Sequence, residues 1–217
     1  MIKERLRLFR TAAQWLVAAL SLMASVAGNA SELNALRDFV SEANKDPASY
    51  AIIIRHALAP GTGDPPEFAI GACETQRNLD DTGRQQARVM GEKLKQAGLL
   101  KVEFHSSQWC RCVDTAELMR EAWSDAAVTE VQELPAINSF FRRYEREAPQ
   151  TAELKEWLSQ RSSDTAVDSL AVLVTHQVNI TVLTNRFASS GEMVLLRINA
   201  AEPADGDVVE VLGSVEN

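Results

Sequence analysis

Arginine and histidine side chains follow three separate apolar stretches of this sequence. Arg55 and His56 come directly after the first stretch. Arg111 lies shortly after the second, and His176 ends the third. A guanidinium group pairs with phosphate oxygens and stabilises a phosphoryl group in transfer, and a neutral imidazole can attack phosphorus to form a phosphohistidine. Two arginines and two histidines therefore indicate phosphoryl transfer without a metal.

The three apolar stretches are the elements that must bring these side chains together. They read "AIII" at 51–54, "LLKVEFHSS" at 99–107 and "SLAVLVTH" at 169–176. The first and third lack polar alternation, which is typical of strands buried on both faces of a parallel sheet. Ligands of such sheets bind outside the carboxyl ends of the strands. We therefore expect the arginines and histidines to meet at one edge of a sheet.

Helical periodicity separates the predicted strands. Helices are predicted at 31–44, 108–123 and 151–160. A further helix is predicted to begin after an N-cap at Asp80 and to end in a left-handed cap at Gly98. Within 108–123, the residues predicted to face the core are Val113, Ala116, Leu118 and Met119. Strands that alternate with helices favour a parallel α/β sheet.

The end of the chain predicts a different arrangement. The stretches 191–200 and 206–215 are two strands joined by "AEPAD", most simply as an antiparallel hairpin, whereas 126–134 is a weaker strand or a loop. The predicted fold is α/β, a three-layer sandwich whose mostly parallel central sheet ends in that hairpin.

The first thirty residues have the pattern of a secretory signal peptide. Four basic residues precede an apolar stretch at 15–27, and small residues follow, so that cleavage is expected after Ala27 or Ala30. The apolar stretch of 13 residues is shorter than the roughly 20 that span a bilayer. We expect an exported domain at 31–217, periplasmic or secreted, with no membrane span after signal cleavage.

Composition limits the classes of partner. The 217 residues are 46% hydrophobic and 24% charged, which suits one globular domain. Without 1–30, which holds four basic residues and one acidic residue, the formal charge changes from −8 to −11. Such a chain repels polyanions, so nucleic acid is excluded as a partner and an anion needs a local arginine cluster. The sequence leaves the oligomeric state open, and we expect no cofactor.

Three cysteines leave the thiol chemistry open. Export permits a disulfide, and Cys73 with Cys110 is the first pairing to test, with Cys112 as a buried small residue. A bridge from Cys73 to Cys112 and three free thiols are the alternatives.

Four motifs resemble the histidine phosphatase superfamily, which includes the phosphoglycerate mutases. "RHA" is similar to its Arg-His-Gly signature, and "NLDDTGRQQA" is similar to its helix start. "HSSQWCRCVDTAELM" resembles its Ser-Ser-x-x-x-Arg segment, and "VLVTHQVN" resembles its second histidine motif. The motifs occur in the family's order between Ile52 and Thr181. The resemblance implies a phosphoglycerate mutase-like fold.

The resemblance also implies roles for single residues. His56 would accept the phosphoryl group, which Arg55, Arg111 and His176 would hold. The leaving oxygen needs a proton, and the family takes it from a carboxylate beyond the second arginine. Glu133 is the first candidate for this acid, with Glu130 as the alternative.

Other positions concern specificity. Ala57 and Gln177 stand where the family has glycine, and Gln177 adds an amide to the pocket. Arg77 and Thr62, in the long loop 58–79, are predicted to bind the substrate with Gln177.

The preferred function is an exported phosphomonoesterase that hydrolyses a small phosphorylated substrate through a phosphohistidine on His56. The alternatives are a phosphomutase and a non-catalytic anion-binding domain of the same fold. A metal-dependent hydrolase is disfavoured, because the sequence shows no clustered histidine and carboxylate ligands.

Overall fold

The structure is a computed structural model that describes residues 31–123, 128, 130–199 and 207–216. The predicted signal peptide, 1–30, lies outside the described residues, as does the "AEPAD" connection. Within the described ranges, no helix is both long and apolar enough to cross a membrane.

Six strands of the described chain form one sheet. In chain order they are β1 (Tyr50–Arg55), β2 (Val102–Ser106), β3 (Gln132–Glu133), β4 (Leu170–Thr175), β5 (Met193–Ile198) and β6 (Val209–Val215). Their spatial order is β3-β2-β4-β1-β5-β6. The first four are parallel, and β5 is antiparallel to both β1 and β6. The predicted mostly parallel sheet with a final antiparallel pair is therefore confirmed.

Helices cover both faces of this sheet. They are α1 (31–43), α2 (Asp81–Gln96), α3 (Cys110–Arg120), α4 (Glu147–Ser163) and α5 (Gln177–Thr184). Because strand side chains alternate between faces, Ile52 and Ile54 pack with α1, α2 and α3, whereas Ile53 packs with α4 and α5. The two apolar clusters give the three layers that the sequence predicts.

The start of α2 is fixed against the loop that follows β1. Asp80 caps the helix as predicted, because its Oδ1 accepts a hydrogen bond from Gly83 N at 2.7 Å. A Cβ on Gly83 would lie 2.0 Å from the carbonyl oxygen of Leu58, so only glycine permits this approach. The helix end is also confirmed, since Gly98 follows it with a φ of +91°.

Some predicted bounds differ from the structure. The helix predicted at 151–160 is Glu147–Ser163. It can include Pro149 because the proline falls in the first turn, where a backbone N–H would have no partner within the helix. The helix predicted at 108–123 is Cys110–Arg120, and Val113 on it is only half-buried. The sequence analysis missed α5, whose eight residues include several β-branched side chains and directly follow a strand.

Candidate active site

The carboxyl ends of β1 and β4 bring both histidines into one pocket. Arg55 is the last residue of β1 and is opposite Thr175, the last residue of β4. The next residues along the two strands are therefore neighbours, and the rings of His56 and His176 have centroids 5.5 Å apart. Arg111 reaches the same place from the first turn of α3, which follows the neighbouring strand β2.

His56 is buried, and its hydrogen bonds determine which of the two ring nitrogens carries the hydrogen. Nδ1 lies 2.8 Å from the carbonyl oxygen of Ala57, which can only accept, so Nδ1 carries the hydrogen. Nε2 accepts a hydrogen bond from Nε of Arg111 at 3.2 Å. Burial, followed by the charge of Arg111, lowers the pKa of His56 to about 3. The imidazole is therefore neutral, and its unprotonated Nε2 lies in the pocket.

The alanine after His56 does not disturb the turn. Among described non-glycine residues only Arg142 and Asn185 have a positive φ, so the backbone at Ala57 has no need of glycine. The Ala57 N–H donates to Thr115 Oγ1 at 3.1 Å, which ties the turn to α3.

His176 is held by a chain of hydrogen bonds. Its Nδ1 lies 3.4 Å from Nη2 of Arg111, which only donates, so Nε2 carries the hydrogen and donates to Ser107 Oγ at 2.9 Å. Ser107 Oγ donates in turn to Asn138 Oδ1 at 3.1 Å. Burial, then the charge of Arg111, hold the pKa of His176 well below its usual range.

Three arginines surround the histidines. Arg111 is buried, and Arg55 and Arg77 line the same pocket. Burial and the charge of Arg111 lower the pKa of both Arg55 and Arg77. Arg55 Nη1 donates to the Ala188 carbonyl at 2.9 Å, but its Nε is buried without a hydrogen-bond partner among the described residues. The result is a concentrated positive charge that suits an anion.

Arg77 both contributes charge and holds the long loop. Its Nε donates to the Gly63 carbonyl at 3.0 Å and its Nη1 to the Ala59 carbonyl. Thr62 and Gln177, predicted with Arg77 to bind the substrate, also line the pocket. The amide nitrogen of Gln177 donates to Thr181 Oγ1 at 2.7 Å, which points that group along α5.

Asp64, which the sequence analysis did not select, lies at the centre of this loop's contacts. Its Oδ1 and Oδ2 accept from Nη1 and Nη2 of Arg111 at 2.8 and 3.2 Å. Trp109 Nε1 donates to Oδ2 at 3.0 Å and the Arg77 N–H to Oδ1 at 3.1 Å. Burial alone would raise the pKa of Asp64, but the bonds to Arg111 outweigh it and lower the pKa.

The structure does not bring Glu133 to this pocket. Its side chain is exposed, and Oε2 accepts from Gln108 Nε2 at 3.0 Å. The reason is its strand: β3 is the edge strand, and β2 and β4 lie between it and β1, so its end does not face His56. Glu130 is exposed as well, and neither glutamate lines the pocket. The prediction that one of them reaches the leaving oxygen has no geometric support.

A disulfide joins the long loop to α3. It links Cys73 to Cys110, next to Arg111 in the chain, and so confirms the first of the predicted pairings. Phe68 of the same loop stacks on Trp109 with ring centroids 4.9 Å apart. Cys112 is unpaired and buried, and burial raises its pKa to about 12, so it is inert as a thiolate.

The pocket has a volume of about 610 Å³ and an outer rim of further arginines. Arg142, Arg143 and Arg146 line it, and within the described chain none has a carboxylate partner. A groove of about 630 Å³ along α4 has only Glu153 and Glu156 as charged groups and does not suit an anion.

Fold and pocket together define an α/β protein with a pocket of two histidines and three inner arginines at the ends of parallel strands. The sequence profile of the histidine phosphatase superfamily (branch 1) matches residues 52–168, more than half of the 217 residues. The chain therefore belongs to this superfamily. No curated protein sequence matches it.

Solved structures agree with the fold. The protein histidine phosphatase SixA in complex with tungstate aligns with a TM-score of 0.52 and 14% identity, over 76% of this chain and 95% of that chain. A mycobacterial glucosyl-3-phosphoglycerate phosphatase aligns with a TM-score of 0.52 and 14% identity, over 75% and 96%. A structure described as mycobacterial hydrolase 1 aligns with a TM-score of 0.53 and 14% identity, over 76% and 97%.

Proposed function

We propose that this protein is a phosphomonoesterase that transfers the phosphoryl group of a small substrate to His56 and then to water. The observation that carries the proposal is the state of His56. Its Nε2 is unprotonated because Nδ1 donates to Ala57 O at 2.8 Å, and it lies 3.2 Å from a buried guanidinium. A neutral nucleophile beside fixed positive charge is what attack on a phosphate anion requires.

The three inner arginines supply the charge stabilisation. Phosphoryl transfer proceeds through a loose transition state whose charge spreads over three equatorial oxygens. Arg55 and Arg111 line the pocket at two of its sides, and Arg77 adds a third positive charge. Guanidinium groups can bind these oxygens bidentately, so this chemistry does not depend on a metal ion.

The outer rim favours a substrate that carries more than one anionic group. Arg142, Arg143 and Arg146 are exposed and line the same pocket as the two buried histidines that follow β1 and β4. The chain as a whole has a formal charge of −8, so this concentration of arginines is local. A second phosphate or a carboxylate on the substrate would meet these side chains while the first phosphoryl group lies against His56.

Export completes the proposal. The basic and apolar pattern of 1–30 is that of a secretory signal, and the disulfide between Cys73 and Cys110 suits an oxidising compartment. Expression of the full chain with fractionation and amino-terminal sequencing tests this step. A mature chain that begins after Ala27 or Ala30 is expected, and a full-length cytosolic chain that retains Met1 would contradict it.

The activity itself is tested with purified 31–217 against p-nitrophenyl phosphate and a panel of phosphorylated and bisphosphorylated sugars. Turnover that is lost in His56→Gln supports the proposal. Release of orthophosphate distinguishes a phosphatase from a mutase, which would return an isomeric phosphate. Binding of phosphate without turnover of any compound would point to an anion-binding domain instead.

A further inference from the structure

Asp64 is the one carboxylate that lines the pocket in the part of the chain that the structure describes. It lies on the loop 58–79 between Gly63 and a pair of prolines, and its side chain is only 15% exposed. Any proton that a leaving oxygen receives from a carboxyl group in this pocket must therefore come from Asp64.

Arg111 binds Asp64 and His56 through different edges of one guanidinium. Its Nε–H faces His56 Nε2, whereas Nη1 and Nη2 bind the two oxygens of Asp64 at 2.8 and 3.2 Å. A phosphoryl group would bind the edge formed by Nη1 and Nη2, because two phosphate oxygens can accept hydrogen bonds from both nitrogens as two carboxylate oxygens do. A phosphoryl group that binds this edge must therefore displace the Asp64 carboxylate from Nη1 and Nη2 of Arg111.

The carboxylate remains at the pocket when this displacement occurs. Trp109 Nε1 donates to Oδ2 at 3.0 Å and the Arg77 N–H donates to Oδ1 at 3.1 Å, and neither bond involves Arg111. Loss of the Arg111 contacts and the approach of a phosphate anion both raise the pKa of the Asp64 carboxyl group, while burial, which also raises it, is unchanged and the bonds from Arg77 and Trp109 still lower it. The same event that loads the substrate thus prepares an acid beside it.

We propose that Asp64 is the catalytic residue that protonates the leaving oxygen, and that the substrate converts it from a partner of Arg111 into an acid. This inference rests on the proposed phosphatase function. Once displaced from Arg111, the Asp64 carboxylate takes up a proton from solvent. In the first step Nε2 of His56 forms a bond to phosphorus, the ester P–O bond breaks, and this proton moves from Asp64 to the leaving oxygen to give the alcohol. In the second, water attacks phosphorus, its proton returns to Asp64, and the P–N bond breaks to release hydrogen phosphate.

The test compares Asp64→Asn with wild type on an alkyl phosphate and on p-nitrophenyl phosphate, using kcat/KM because it reports the steps up to loss of the alcohol. A general acid matters most for a poor leaving group, so kcat/KM for the alkyl phosphate should fall about 10²–10⁴-fold and that for p-nitrophenyl phosphate less than about tenfold. Glu67→Gln, on the same loop and exposed, is the matched control and should leave both values unchanged.

Other results would overturn the inference. Equal decreases in kcat/KM on both substrates would show that Asp64 only positions Arg111. Increases in kcat/KM on both would show that Asp64 only obstructs substrate binding. A selective loss in Glu133→Gln instead would return the role to that glutamate. If wild type itself has no His56-dependent turnover, the proposed function fails as well, which is a different result from any of these.

A second measurement needs no variant and so does not depend on whether Asp64→Asn folds. Across a series of aryl phosphates, the kcat/KM of wild type should depend weakly on the pKa of the leaving phenol, because a donated proton neutralises the developing charge. A steep dependence would show that no acid assists departure and would overturn the role of Asp64.

Discussion

The Nε of Arg111 lies 3.2 Å from Nε2 of His56, so one buried guanidinium touches the nitrogen that we propose as nucleophile. This contact has two effects. The positive charge opposes protonation of the imidazole, which leaves Nε2 without a proton. The N–H also orients the ring, whose other nitrogen is already fixed by Ala57 O. In the proposed mechanism, Arg111 therefore prepares the nucleophile as well as binding the phosphate.

Arg111→Lys should lose most activity although it keeps the charge. A lysine ammonium is a point charge and cannot meet His56 and a phosphoryl group through two edges at once. We expect kcat/KM for p-nitrophenyl phosphate to fall about 10²–10³-fold, the size of effect seen when a donor to the transition state is removed. Steady-state kinetics checks this, with Arg37→Lys on α1 as the control. Near-wild-type turnover in Arg111→Lys would show that charge alone suffices.

Unfolding should become easier as pH falls from about 6.5 to about 3. Burial, followed by the charge of Arg111, lowers the pKa of His56 to about 3, whereas an unfolded histidine titrates near about 6.5. Between these values the unfolded chain binds a proton that the folded chain excludes, so the free energy of unfolding rises with pH and levels off above the window. His56→Gln should reduce this slope by up to about 1.4 kcal/mol per pH unit.

Urea unfolding of wild type and His56→Gln at several pH values within that window gives both slopes. Since His176 and Asp64 remain in both proteins, the difference isolates His56. Parallel slopes would mean that the folded protein accepts a proton on His56 as readily as the unfolded chain does.

The disulfide should stabilise the pocket loop. It joins Cys73 to Cys110 across 37 residues, and removal of such a bridge typically costs about 2–4 kcal/mol. Cys73→Ser should therefore lower the midpoint of thermal unfolding and, because the loop carries Asp64 and Arg77, also lower kcat/KM. Glu74→Gln, which changes the exposed residue next to Cys73 and keeps the bridge, is the control. Unchanged activity in Cys73→Ser would show that the loop keeps its position without the bridge.

The outer arginines should select for substrates with a second anionic group. Replacement of Arg142, Arg143 and Arg146 together by glutamine should raise KM for a bisphosphorylated sugar about tenfold or more, because the pocket loses three cations that have no carboxylate partner among the described residues. KM for p-nitrophenyl phosphate, which has one anionic group, should change little. A parallel series in Arg37→Gln controls for the loss of surface charge, and equal changes for both substrates would argue against a second anion.

The sequence predicted the sheet and its two histidines because both depend on local pattern. Continuous apolar runs identified β1 and β4, and the rule that ligands bind at strand ends placed His56 beside His176. Caps gave the bounds of α2 for the same reason, since Asp80 and Gly98 act within one turn.

The proposed general acid, Asp64, could not be predicted in this way, because its position depends on contacts far apart in the chain. Asp64 in "GTGDPP" has the surroundings of an ordinary turn residue, and only the folded loop brings it to Arg111, 47 residues later. The position of Glu133 after the second arginine predicts an acid at this pocket. Glu133 instead lies on the two-residue strand β3 at the sheet edge, away from the end of β1.

The most direct test of the whole account is to trap the intermediate. Wild-type 31–217 is mixed with a phosphorylated substrate, quenched under alkaline conditions within a turnover, and mapped by mass spectrometry. The account predicts an acid-labile, base-stable phosphoryl group on the peptide that contains His56 and none in His56→Gln. Hydrolysis of the substrate by both proteins, with no phosphohistidine at His56, would contradict it.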